Sequence, residues 1–103
     1  MKNEAIEQMK KSVELPVIMA PMFIISNSKM VINACTSGII ETFPALNART
    51  EEILENWMEE ITTELEKQKQ FHPDKKVAPW GINFIVHRSN KRYVRDLKLI
   101  EKY

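Results

Sequence analysis

Short apolar runs framed by proline alternate along this chain with longer segments of helical periodicity, and that alternation limits its fold more than any other feature. Pro16 opens the run Val17-Ile18-Met19-Ala20 and Pro21 closes it. Prolines at both ends leave too little room for helical turns, so residues 17–20 read as a strand. The run has no polar alternation, which predicts burial on both faces, as in parallel sheets. Ile39 to Phe43, ended by Pro44, is a second such run, and Trp80 to Val86, introduced by Pro79, is a third.

The intervening segments have helical spacing. Residues 3–12 are polar with Ile6 and Met9 three apart, a short and weakly amphipathic lead-in helix. Ser26, Asn27 and Ser28 offer N-caps for a helix whose stripe is Met30, Val31, Ala34 and Cys35. Gly38 stands where that helix needs a left-handed residue to stop. Thr50 can cap a longer helix over roughly 50–70, and Glu51 and Glu52 suit the positive end of its dipole. Ile53, Leu54, Trp57, Met58, Ile61 and Leu65 form its buried face. A polar loop, residues 71–76, follows. Asn90 is the cap candidate for a last helix with Tyr93, Val94, Leu97 and Ile100 inward.

The order is therefore β-α-β-α-β-α, with no internal repeat and no low-complexity segment. Such alternation implies right-handed crossovers and a parallel sheet, in either a doubly wound sheet or an eight-stranded barrel. Periodicity does not choose between them. A barrel of about 250 residues gives roughly 31 to each β/α unit, so 103 residues would supply about three of eight.

Composition excludes several classes. Fifteen basic and fourteen acidic residues leave a net charge of +1, too little field to gather nucleic acid or an anionic membrane. Arg88, Lys91, Arg92 and Arg95 cluster, but no aromatic platform is interleaved with them, so no nucleic-acid role is expected. The longest apolar stretch, Leu15 to Ile25, is shorter than the ~20 residues a bilayer needs. Lys2 is followed by Glu4 and Glu7, unlike a secretion signal, and the expected location is cytoplasmic. Cys35 is the only cysteine, so no intrachain disulfide forms, and its stripe position makes it a small buried hydrophobe. No His/Cys/Asp/Glu spacing suggests a metal site. His72 reads as a surface residue, and His87 follows a strand end beside Arg88, where a solvated ring is the simpler reading.

Three segments carry a more specific signal. Leu15-Pro16-Val17-Ile18-Met19-Ala20-Pro21-Met22-Phe23 resembles the opening strand and loop of flavin-dependent nitronate monooxygenases, formerly called 2-nitropropane dioxygenases. Residues 38–50 (GIIETFPALNART) resemble the second strand and loop of one branch of that family, and residues 81–90 (GINFIVHRSN) its third. The Ala-Pro-Met step is shared by several FMN barrels, so the specificity lies in three segments in the right order over residues 13–103.

The resemblance implies an α/β fold, the first three β/α units of an incomplete parallel (β/α)8 TIM-type barrel. The units would be 15–38, 39–70 and 79–103, after a leader over 1–14. It implies FMN bound at the C-terminal ends of the strands, with Ala20, Pro21, Met22 and Phe23 against the ring and Asn83 hydrogen-bonded to it. Ala45, Leu46 and Asn47 would sit at the mouth beside it. The family's activity is oxidation of an alkyl nitronate by molecular oxygen to a carbonyl compound and nitrite. A flavin-dependent enoyl reductase shares the barrel and the early loop.

The family's catalytic histidine lies on a later strand, so no catalytic residue is assigned here and the fragment is expected to be inactive alone. Another class also fits: a non-catalytic truncated fragment or a self-associating module, because three parallel strands leave two open edges.

The residues themselves support part of this. Asn is disfavoured in strands, and a buried amide needs a partner, so Asn83 must bond a ligand, a neighbouring strand or a water. By alternation Gly81, Asn83 and Ile85 share one face, the glycine leaving space, while Ile82, Phe84 and Val86 share the face under the helices. Met22 and Phe23 are equally plain core candidates.

Overall fold

A computed structural model describes residues 3–103. Lys2, weighed above with Glu4 and Glu7, lies outside the described residues, as does the start of the 1–14 leader. The chain is α/β: α1 (Glu4–Lys11), β1 (Ile18–Met19), α2 (Ser28–Thr36), β2 (Ile40–Pro44), α3 (Glu51–Phe71), β3 (Trp80–Asn83) and α4 (Tyr93–Lys102). A short 3-10 turn, Ala45–Asn47, lies between β2 and α3. The three strands form one open parallel sheet in the order β1-β2-β3.

Local signals set most element ends. Asn27 Oδ1 accepts from Met30 N at 3.0 Å to start α2, and Thr50 Oγ1 accepts from Ile53 N at 3.2 Å to start α3. α2 stops at Gly38, whose φ of 84° is the left-handed conformation expected there. Gly38 N donates to Cys35 O and Ile39 N to Ala34 O, each at 3.0 Å, which completes a Schellman closure. Two remote segments attach at this closure. Glu14 N donates to Gly38 O at 2.8 Å, and Ala78 N to Cys35 O at 2.9 Å.

Strand register fixes which side chains share a face. Glu41 pairs with Met19 and Trp80, and Phe43 with Ile82; Ile40 pairs with Ile18, Thr42 with Gly81, and Pro44 with Asn83. The first set lies under α2 and α3. Phe43 meets Trp57 of α3 edge-on at 5.7 Å between centroids and stacks on Trp80 at 6.0 Å. Val31, Cys35, Leu54, Met58, Ile61 and Leu65 join Phe43 in one core. Ile82 packs against it, as its alternation predicted.

The second face lies away from α2 and α3. Ile6 and Met9 of α1 line a cavity with Ile18 and Ile40 there, and Ile40 and Pro44 are buried. At β1 the expectations need correcting. β1 spans two residues rather than four, and it is not buried on both faces, since Ile18 is 59% exposed and Val17 is also exposed. Among the described residues its outer edge has no partner strand. β3 ends at Asn83, not Val86, because its partner β2 ends at Pro44 opposite Asn83. Val86 is exposed, while Phe84 packs on Tyr93 of α4 with centroids 5.3 Å apart.

α4 also departs from its periodicity. Val94 is exposed, and Asp96 is the residue buried. Asn90 shapes the turn before α4 rather than capping it: its Oδ1 accepts from Arg92 N, and its Nδ2 donates to Ile85 O. Ile53, expected inward, is exposed on α3 beside the buried Leu54.

Candidate functional site

Residues 20–26, 44–50 and 84–92 leave the C-terminal ends of β1, β2 and β3, the end where parallel β/α units carry their sites. Asn47, in the 3-10 turn, joins the first two loops. Its Nδ2 donates to Met22 O at 2.9 Å and to Ser26 O at 2.8 Å, and its Oδ1 accepts from Ile24 N at 2.9 Å. The loop is pinned from within as well. Met22 N donates to Ser26 Oγ at 2.9 Å, and Ser26 N to Met22 O at 2.9 Å.

Within that loop Ile24 has φ of 74° and is 85% exposed. A β-branched residue in the left-handed region costs on the order of 1–3 kcal/mol and persists only where its surroundings hold it. Here three backbone groups on one amide, with the Ser26 hydroxyl, do the holding. The product is a fixed loop that shows Met22, Phe23, Ile24 and Ile25 to solvent. Met22 and Phe23 are therefore not core residues. Ala20 and Pro21 are exposed beside them.

Asn83 is half-buried at the end of β3, on the face away from α2 and α3. Its side chain bonds no neighbouring strand among the described residues, although Asn in a strand needs a partner. The glycine two residues before it does not leave open space. A Cβ on Gly81 would lie 3.0 Å from Thr42 Cγ2, so that room is taken by the threonine, whose hydroxyl donates to Met19 O at 2.8 Å. The structure thus brings Ala20–Phe23 and Asn83 to one end of the sheet with β2 between them. Two strand spacings put them roughly 10 Å apart.

The third loop is tied to the same turn. Arg92 donates through Nη1 to Ala48 O, and its Nε lies 3.2 Å from both oxygens of Asp96. The Arg92 side chain is 19% exposed and that of Asp96 0%, so Arg92 is no member of a solvated basic cluster. Burial pushes the Asp96 carboxyl up, Arg92 pulls it back down, and Glu51 adds a smaller upward push. His87 accepts from Ser89 N at 3.1 Å through Nδ1 and faces an open groove of about 530 Å³ with Arg88, Lys91 and Tyr93. That groove includes neither Asn83 nor the 20–23 loop.

Two groups under the helices carry perturbed chemistry. Glu41 is fully buried, and neither carboxyl oxygen has a partner among the described residues. Burial raises its pKa. Cys35 is raised as well, by burial first and by the nearby Glu41 charge last, and its thiol donates to Pro79 O at 3.4 Å. Sequence reasoning passed over Glu41, Arg92 and Asp96 as individual residues. The polar position inside the apolar run 39–43 is the one signal that pointed to Glu41. No group of three potential ligands that could hold a metal occurs among the described residues, and no helix there is long and apolar enough to cross a membrane.

Comparison with known proteins returns no matching family model, no matching curated protein and no matching solved structure.

Proposed function

We propose that this chain supplies the first three β/α units of an FMN-dependent nitronate monooxygenase-type barrel. The supporting observation is Asn83: a strand asparagine on the face away from α2 and α3, at the C-terminal end, with no side-chain partner among the described residues. An amide offers both a donor and an acceptor, which suits the edge of a flavin ring. The strand order is compatible: sequential parallel strands with both crossover helices on one face occur in a singly wound barrel and in each half of a doubly wound sheet alike.

The residues present fit the ring half of the cofactor. Asn83 would bond the ring edge, and the exposed backbone of Ala20, Pro21, Met22 and Phe23 would lie along it. Bound flavin would supply the redox chemistry for oxidising a nitronate with oxygen, while these residues orient the ring. No glycine-rich phosphate cradle occurs in the sequence, which has two glycines in all. The flavin-dependent enoyl reductase remains within the same reading, since nothing in these three units separates the two.

A second reading has its own observation. The open edge of β1 and the exposed Ile18, Phe23, Ile24 and Ile25 favour self-association of a non-catalytic module. Gel filtration combined with flavin fluorescence titration tests both. The 103-residue chain should self-associate and bind FMN more weakly than micromolar, with Asn83→Ala abolishing the flavin response. No response at millimolar FMN would remove the flavin reading. A monomer with micromolar affinity would show instead that three units already make a whole site.

A further inference from the structure

We propose that Asn47 is a positioning residue, which holds the β1–α2 loop in the one shape that presents Ala20–Phe23 to a flat ring; the ring's identity rests on the flavin reading above. The geometry is specific. One amide meets two carbonyl oxygens, of Met22 and Ser26, and one N–H, of Ile24, across 21 to 25 residues of sequence. All three partners are backbone groups, so the amide fixes the course of the chain rather than a side-chain rotamer. An amide is the group such a site needs, because its two N–H donors and its carbonyl sit on the same planar head.

Ile24 explains why a clamp is needed. Its φ of 74° is one a β-branched residue leaves when released, and at 85% exposure almost no packing retains it. The loop's apolar side chains gain nothing by facing water, so the clamp opposes their collapse onto the sheet. It opposes the disorder of a free loop too. A loop fixed before binding adds little ordering entropy when a ligand arrives.

Asn47 is itself anchored. The next residue's carbonyl, Ala48 O, receives Arg92 from the start of α4, so the turn after β2 holds the loops on either side of it. The loops after β1 and β3 are thereby both tied to the one turn after β2. That arrangement gives Asn47 a role in spacing the Ala20–Phe23 loop from Asn83.

Hydrogen exchange on the full chain, with Asn47→Ala and Asn47→Asp, tests the proposal. Asp has the same shape but turns its oxygens toward two carbonyls and loses both donors. In both variants the Met22 and Ile24 amides should exchange at least about tenfold faster, since three hydrogen bonds are released or strained. The amides of Leu54 and Met58 in α3 should keep their protection. The shifts that millimolar FMN induces in residues 20–23 should shrink in both variants while those at Asn83 persist.

Wild-type-like exchange in Asn47→Asp would overturn the proposal, because the two amide donors to Met22 O and Ser26 O would then be dispensable. So would FMN shifts at residues 20–23 that are unchanged although the loop amides are released. If wild-type chain shows no FMN shifts while both variants release the loop, the flavin reading fails and Asn47 stands as the residue that shapes the loop.

Discussion

The two faces of this sheet carry similar residue types but are covered to different degrees. On one, Phe43 stacks on Trp80, meets Trp57 edge-on and is sealed by Leu54, Met58 and Ile61. On the other, Ile40 is buried but Ile18, its register partner, stands 59% exposed, and the loop beyond it shows Phe23, Ile24 and Ile25. The apolar runs of the sequence do not distinguish the two. What separates them is connectivity: each crossover helix returns over the same face, so one side becomes a core and the other keeps surface suited to a ligand, further strands or another copy.

The largest effect that would sharpen this contrast comes from paired truncations. Phe43→Ala should lower unfolding free energy by about 3–5 kcal/mol, whereas Ile18→Ala on the open face should change it by less than about 0.5. Urea denaturation followed by tryptophan fluorescence would measure both. Equal losses would mean that the open face is covered in solution.

Next is the ion pair that fastens α4. Arg92→Ala leaves Asp96 buried without its partner and should cost about 3 kcal/mol, with much of the loss recovered in Arg92→Ala/Asp96→Asn. The double-mutant cycle is read from the same denaturation curves. Additive losses would show that the two side chains act separately.

Glu41 gives a smaller effect with a pH signature. Its folded pKa is raised, so the carboxyl's contribution is fully present below its unfolded value of 4.5 and is lost as pH rises through the folded value. Glu41→Met removes that dependence and should stabilise the chain by about 1–3 kcal/mol at neutral pH. The advantage should shrink as pH falls from the raised folded value towards 4.5 and level off below it. Thermal melts across that range would check it, and a constant difference at all pH values would mean that Glu41 has a partner in solution.

Legibility from sequence followed the range of the forces involved. Asn27, Thr50 and Gly38 act on groups within a few residues, so their spacing alone announced the ends of α2 and α3. The open parallel sheet was legible from the alternation of runs. Burial at Val86, Val94 and Ile53 was not, because it depends on whether a neighbour arrives from elsewhere in the chain. At the candidate site the resemblance pointed to Ala20–Phe23 and Asn83. The clamp by Asn47 was invisible, since its partners lie more than 20 residues away and are backbone atoms with no sequence signature.

The closure of α2 has a wider reach than its size suggests. The carbonyls of Cys35 and Gly38, where the helix ends, receive the chain entering β3 and the chain leaving α1, Cys35 O accepting from Ala78 N in addition to Gly38 N. A Cβ on Gly38 would lie 2.4 Å from Glu14 Cγ, so the crossing is possible only because that carbon is missing. This turn is a junction in the wiring of the molecule: disturbed at one residue, it would disconnect the leader and the third strand together, though neither is its neighbour in sequence.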